Sequence, residues 1–154
     1  MKLIKIFSIS LVLLIASKTT AQEFKLGKVS VAELEQKIHP KDSAAPAAIL
    51  YKKGKSRIEF DQSDGDFVTL TDVEVRIKVY KKEGYEWANQ AVWYYKTSGF
   101  VEKVSFSDAY TYNLVNGKIE KSKLKSEGIF DETVNKFRGQ KKITMPGVKE
   151  GSVI

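Results

Sequence analysis

The tightest constraint on this chain is a two-residue turn. Val104, Phe106, Tyr110, Tyr112 and Leu114 recur at two-residue spacing, with Lys103, Ser105, Ser107, Thr111 and Asn113 between them. That alternation is the pattern of a half-buried strand. It stops at Asn116-Gly117, a pair suited to the positive φ values of a type I′ turn, and resumes as Lys118-Ile119-Glu120-Lys121. The short loop sets Val115 opposite Lys118 and Leu114 opposite Ile119. Leu114, Ile119, Tyr112 and Phe106 are therefore expected on one core face. The stretch Glu102 to Leu124 commits the chain to antiparallel β structure.

The remainder agrees. Ser30-Val31-Ala32-Glu33 is a capping box. It predicts a short helix with Val31, Leu34 and Ile38 on its apolar side, ended by His39-Pro40, and preceded by an extended start at Phe24 to Lys28. Ala48 to Tyr51 and Arg57 to Asp61 read as strands joined by a Lys52-Lys53-Gly54-Lys55 loop. The longest strand alternates Phe67, Thr69, Thr71, Val73, Val75, Ile77 and Val79 against Asp72, Glu74, Arg76 and Lys78. Lys81 to Gly84 turns the chain, and Trp87 to Tyr95 is a strand apolar on both faces. Ser126 to Arg138 is open between a helix, on the helical spacing of Phe130, Val134 and Phe137, and a turn or irregular crossing, on Gly128 and the brevity of the run. Lys141 to Met145 is a strand, Pro146-Gly147 a turn, and Gly151 to Ile154 the start of a further strand. Short strands, one N-terminal helix and no βαβ alternation predict a mainly β fold, an antiparallel β-sandwich or curved sheet.

The first 21 residues read as a signal peptide. Lys2 and Lys5 precede an apolar Ile6 to Ala16, and Thr19-Thr20-Ala21 offers a small-residue cleavage site. The apolar run is shorter than the roughly 20 residues a membrane-spanning helix needs. Residues 22–154 then form one exported β domain, periplasmic or at the cell surface, that reads as incomplete at its C-terminus because the chain stops within a β pattern. Lys2, Lys5 and Lys18 leave with the leader and no acid does, so the net charge of +7 falls to +4. That is weak attraction for nucleic acid, and no nucleic-acid partner is expected.

Chemistry is sparse. The chain has no Cys and one His, which removes thiol nucleophiles, thiolate metal ligands and any triad built on more than His39. A helix-terminal polar role suits His39. Asp61, Asp64 and Asp66 around Gly65 offer oxygen ligands, but their spacing departs from a calcium loop and suits a turn. Lys118, Lys121, Lys123 and Lys125 lack interleaved aromatics and read as a solvated strand guarded against edge pairing. Neither a cofactor nor a metal is expected. The aromatic group Tyr85, Trp87, Trp93, Tyr94 and Tyr95 is the one candidate ligand-stacking site, for a sugar or a peptide. Alternation puts Trp93 and Tyr95 on one face and Tyr94 on the other, so at least one set should be core.

Three stretches carry a family resemblance. They are Glu83-Gly84-Tyr85-Glu86-Trp87-Ala88-Asn89, Ala109-Tyr110-Thr111-Tyr112-Asn113-Leu114 with Asn116-Gly117-Lys118, and Met145-Pro146-Gly147-Val148-Lys149-Glu150-Gly151-Ser152-Val153-Ile154. From about Lys28 onward the chain resembles a domain-of-unknown-function family that lies N-terminal to transglutaminase-like domains in exported proteins of Bacteroidetes-type bacteria. The resemblance implies a non-catalytic accessory β domain that positions or gates a downstream, papain-like transglutaminase-like domain. In such proteins that domain carries a Cys-His-Asp triad, none of which is present here. The alternative expectation is an independent glycan- or peptide-binding β domain of the cell envelope.

Overall fold

The computed structural model describes residues 24–63 and 65–154. The signal-peptide reading of residues 1–21 and the position of Asp64 lie outside them. The fold is mainly β and antiparallel, with one short α-helix. In chain order the elements are α1 (Val31–Glu35), β1 (Ala47–Asp61), β2 (Asp66–Val79), a 3₁₀ turn at Lys82–Ala88, β3 (Asn89–Tyr95), β4 (Tyr110–Val115), β5 (Lys118–Lys123), a 3₁₀ turn at Ser126–Gly128, β6 (Ile129–Asn135) and β7 (Arg138–Thr144).

Two sheets result. In the first, β1 pairs with β2 and β4 with β5, and the segment Gly151 to Ile154 joins the two pairs. Ile77 and Ile154 exchange both backbone hydrogen bonds at 2.8 Å, while Tyr112 and Val153 exchange theirs at 2.7 and 3.0 Å. Val153, completely buried, is thus the middle of the sheet. The second sheet has the order β3-β7-β6. Ala88, Leu124, Ile143 and Met145 are buried together, with Phe106, Ile129 and Ile154 packed against them.

The hairpin register is the expected one, Val115 opposite Lys118 and Leu114 opposite Ile119. Its buried side is not. Thr111 and Asn113 are buried, whereas Tyr112 and Leu114 are half-buried and Ile119 is 40% exposed. The cause is Asn113, whose Nδ2 donates to Gly147 O at 2.9 Å and whose Oδ1 accepts from Ser152 Oγ. Asn113 is turned inward to hold the C-terminal turn, which satisfies its buried amide at a site where an unpaired group would cost about 1–3 kcal/mol; the Thr111 hydroxyl, carried inward with it, has no hydrogen-bond partner among the described residues. The strand also begins later than its pattern suggests. Asp108 takes φ 49°, and this turn leaves Glu102 to Ala109 outside any strand.

Four other expectations are corrected. β1 runs unbroken through Lys52-Lys53-Gly54-Lys55, because every one of these residues has a partner on β2, Gly54 facing Val73. The helix stops at Glu35, with Gln36 already extended, and buries only Leu34; Ile38 is 55% exposed. Phe24 to Lys28 contains a turn at Leu26-Gly27. In Ser126 to Arg138 the turn alternative holds for the first three residues, a short 3₁₀ turn, and most of the rest is strand β6, whose hydrogen bonding to β7 overrides the weak helical spacing.

The capping box forms as expected, Ser30 Oγ accepting from Glu33 N and Glu33 Oε2 from Ser30 N. Glu33 also ties the helix down through its 2.9 Å ion pair with Arg76. Arg76 is buried, donates to Lys25 O and Lys28 O, and lies 4.1 Å from the centre of the Phe24 ring.

Candidate functional site

The five aromatic residues fall into three places. Tyr85 and Trp87 are in the 3₁₀ turn before β3, not in a strand. Tyr85 there serves the fold, its hydroxyl accepting from Glu150 N at 3.2 Å. Tyr94 faces the inner side of the second sheet. Its ring lies where a Cβ on Gly139 would stand, which explains the glycine in mid-strand. The Tyr94 hydroxyl donates to Asp131, which is also 3.5 Å from Lys141 Nζ. That hydrogen bond holds the Asp131 carboxyl below its ordinary pKa and pushes the Tyr94 hydroxyl above its own.

Trp93 and Tyr95 share the outer face of the sheet and are 55% and 46% exposed. The Tyr95 ring stacks on Phe137 at 6.4 Å and 10°. Gln140 stands opposite Trp93 on β7, and Arg138 opposite Tyr95. Farther along this face is a hollow of about 350 Å³, lined by Ala91, Phe130, Glu132 and Lys142 among others. Lys142 pairs with Glu132 at 2.6 Å. Sequence reasoning missed Phe130, Phe137, Arg138 and Gln140 as members of this surface. The signal was available in the alternation of Ile129, Asp131 and Thr133 against Phe130 and Glu132, but it is short and competes with the helical spacing of the same phenylalanines.

A second feature is a cleft between the sheets, also about 350 Å³, lined by Val73, Val75 and Ile77 of β2 and by Phe106, Ile143 and Met145 opposite. The β2 residues belong to the apolar face of the β1–β2 ribbon. That face continues outward past the cleft as Thr71, Thr69 and Phe67, with Ser56, Ile58 and Phe60 opposite them. Val73, Ile58, Phe67 and Phe60 are all exposed. No residue of this strip is charged. The other face carries Arg57 paired with Glu59 and Asp72.

Other candidates have structural occupations. The His39 ring packs edge-on against Tyr80 at 5.9 Å. Asp61 Oδ1 accepts from Ser63 N and Oγ and so shapes the loop at the ribbon's tip. Among the described residues no group of three or more acidic or His side chains is arranged to hold a metal ion. β5 is exposed throughout. No helix among the described residues is long and apolar enough to cross a membrane.

The three stretches quoted for the family resemblance meet at one place. Met145 N donates to Ala88 O, Glu150 N to the Tyr85 hydroxyl, and Asn113 and Tyr112 bind Gly147, Ser152 and Val153. No family model matches the chain, and neither curated proteins nor solved structures yield a match.

Proposed function

We propose that this chain is a non-catalytic accessory β domain of an exported transglutaminase-like protein, and that the catalytic domain packs on the uncharged outer part of the apolar face of the β1–β2 ribbon, beyond Lys52. The observation that carries the reading is the continuity of that face with the inter-sheet cleft. Eight residue pairs, from Gly54 and Val73 to Asp61 and Asp66, extend about 26 Å beyond the shared core. An isolated two-stranded hairpin is marginal in water, and large contiguous apolar surfaces mark interaction sites. The strip has the composition of an interface centre, apolar and free of charge, with its ion pairs kept on the opposite side. The resemblance supports the choice of partner, and the reading of residues 1–21 as a leader supports a periplasmic or cell-surface location.

Two measurements test it. The uninterrupted gene should encode a transglutaminase-like domain after Ile154, and in the longer product the amides of Ile58, Phe60, Phe67 and Val73 should exchange hydrogen more slowly than in this chain alone. A stop codon after Ile154 in genomic DNA, or equal exchange in both products, would refute the proposal.

A further inference from the structure

The outer face of the second sheet differs in kind from the ribbon. Its exposed rings, Trp93 and Tyr95, are each directly opposite a planar hydrogen-bonding side chain, Gln140 and Arg138 respectively. Residues so paired on one face have Cβ atoms about 4.5–5.5 Å apart. Glu132 follows on β6, opposite Gln140. Neither the Gln140 nor the Arg138 side chain has a hydrogen-bond partner among the described residues. From Ala91 at the hollow to Tyr95 the row spans four residue-to-residue steps, about 13 Å, and the hollow opens on the same face.

The geometry points to a carbohydrate-binding site, independent of the accessory-domain reading, that takes a neutral oligosaccharide of β-linked pyranose units with equatorial hydroxyls. Such a sugar has an apolar face of C–H groups and a rim of hydroxyls that both donate and accept. The flat rings of Trp93 and Tyr95 match the first, since an aromatic face is electron-rich and attracts polarised C–H groups. The rim meets donors from Arg138 and Gln140 and acceptors from Gln140 and Glu132. The hollow beside Ala91 receives the end of the chain, with the Lys142–Glu132 pair at its edge. An aliphatic protein partner would leave Gln140 and Arg138 desolvated and unpaired, which is costly.

The test is titration of the purified full chain with cello-, xylo- and chito-oligosaccharides, followed by tryptophan fluorescence and calorimetry. At least one neutral oligosaccharide should bind. Trp93→Ala should weaken it by roughly thirtyfold, the loss expected of an aromatic anchor. Trp93→Phe should weaken it less, and Gln140→Ala should weaken it with the fluorescence response retained. Glu120→Ala, on β5 of the first sheet, should leave affinity unchanged. Melting curves establish that each variant is folded, which an exposed position such as Trp93 favours. Failure of every neutral oligosaccharide to bind, binding indifferent to Trp93→Ala, or binding confined to peptides or polyanions overturns the proposal.

Discussion

β2 is one strand in two environments. From Arg76 to Val79 every residue is buried, on both faces; from Asp66 to Glu74 nearly every residue is exposed or half-exposed. The alternation of side chains is the same throughout, and so is the partner, β1. What differs is the presence of a covering layer. At the base, α1 and the Phe24 to Lys28 turn lie over the charged face, and Gly151 to Ile154 extends the sheet sideways. Along the arm no other described element pairs with either strand. Period-two patterning therefore reports which side chains share a face. It does not report whether that face is covered.

The largest test of this contrast is truncation at the base. Ile77 is 3% exposed and lines the inter-sheet cleft. Ile77→Ala should cost about 2–5 kcal/mol, transfer and cavity terms together, read as a lower urea midpoint at unchanged slope. The cleft already beside it should put the loss toward the lower end. A cost under about 1 kcal/mol would mean that the base is no better packed than the arm.

A second test uses charge. At the arm, cations pair with carboxylates in solvent; at the base, Lys78 is completely buried and donates to Leu34 O at 3.1 Å and Gly151 O at 2.6 Å, with no carboxylate. Burial, aided by Lys37, lowers its pKa to about 8 from 10.5. Between those values the unfolded chain binds the proton and the folded one releases it, so stability rises with pH across this window. Below pH 8 the cost of burying the ammonium is present in full. The complete gain is on the order of 3 kcal/mol. Tyr80 and Tyr112, whose hydroxyls are raised by burial, act in the opposite sense above pH 10. The informative range is therefore pH 8 to 10, and denaturation there should show a rising stability that Lys78→Met flattens. An equal slope in the variant would assign the effect elsewhere.

The sequence disclosed local pairing well and long-range covering poorly. Asn116-Gly117 determined the β4–β5 register to the residue, and Ser30 with Glu33 marked the start of α1. Lys52 to Lys55 looked like a loop because Gly54 and three lysines are poor strand formers. A full-length partner strand outweighed that local preference. Thr111 and Asn113 looked solvent-facing because polarity is ordinarily a surface signal. The inward turn of this face rests on the bonds of Asn113 to Gly147 and Ser152, more than thirty residues away, and no local pattern encodes such a contact. Of the candidate site, Trp93 and Tyr95 were found by alternation, while Gln140 and Arg138 came into view only with the β3–β7 register.

The smallest expected effect lies at the tip of the arm. Phe67 is 70% exposed, and its ring meets Phe60 edge-on at 5.3 Å and 67°. In the chain by itself Phe67→Ala removes this one ring pair, worth about 0.5–1.5 kcal/mol, and little buried area, since most of the ring is already in water. Local opening of the arm does not expose the base, so the loss should register less in the global midpoint than in amide exchange near Phe60. Equality with Ile77→Ala would erase the distinction between the two halves of β2. A larger penalty in the protein extended beyond Ile154 than in this chain would sharpen it, because the same ring would then be anchoring a partner rather than facing solvent.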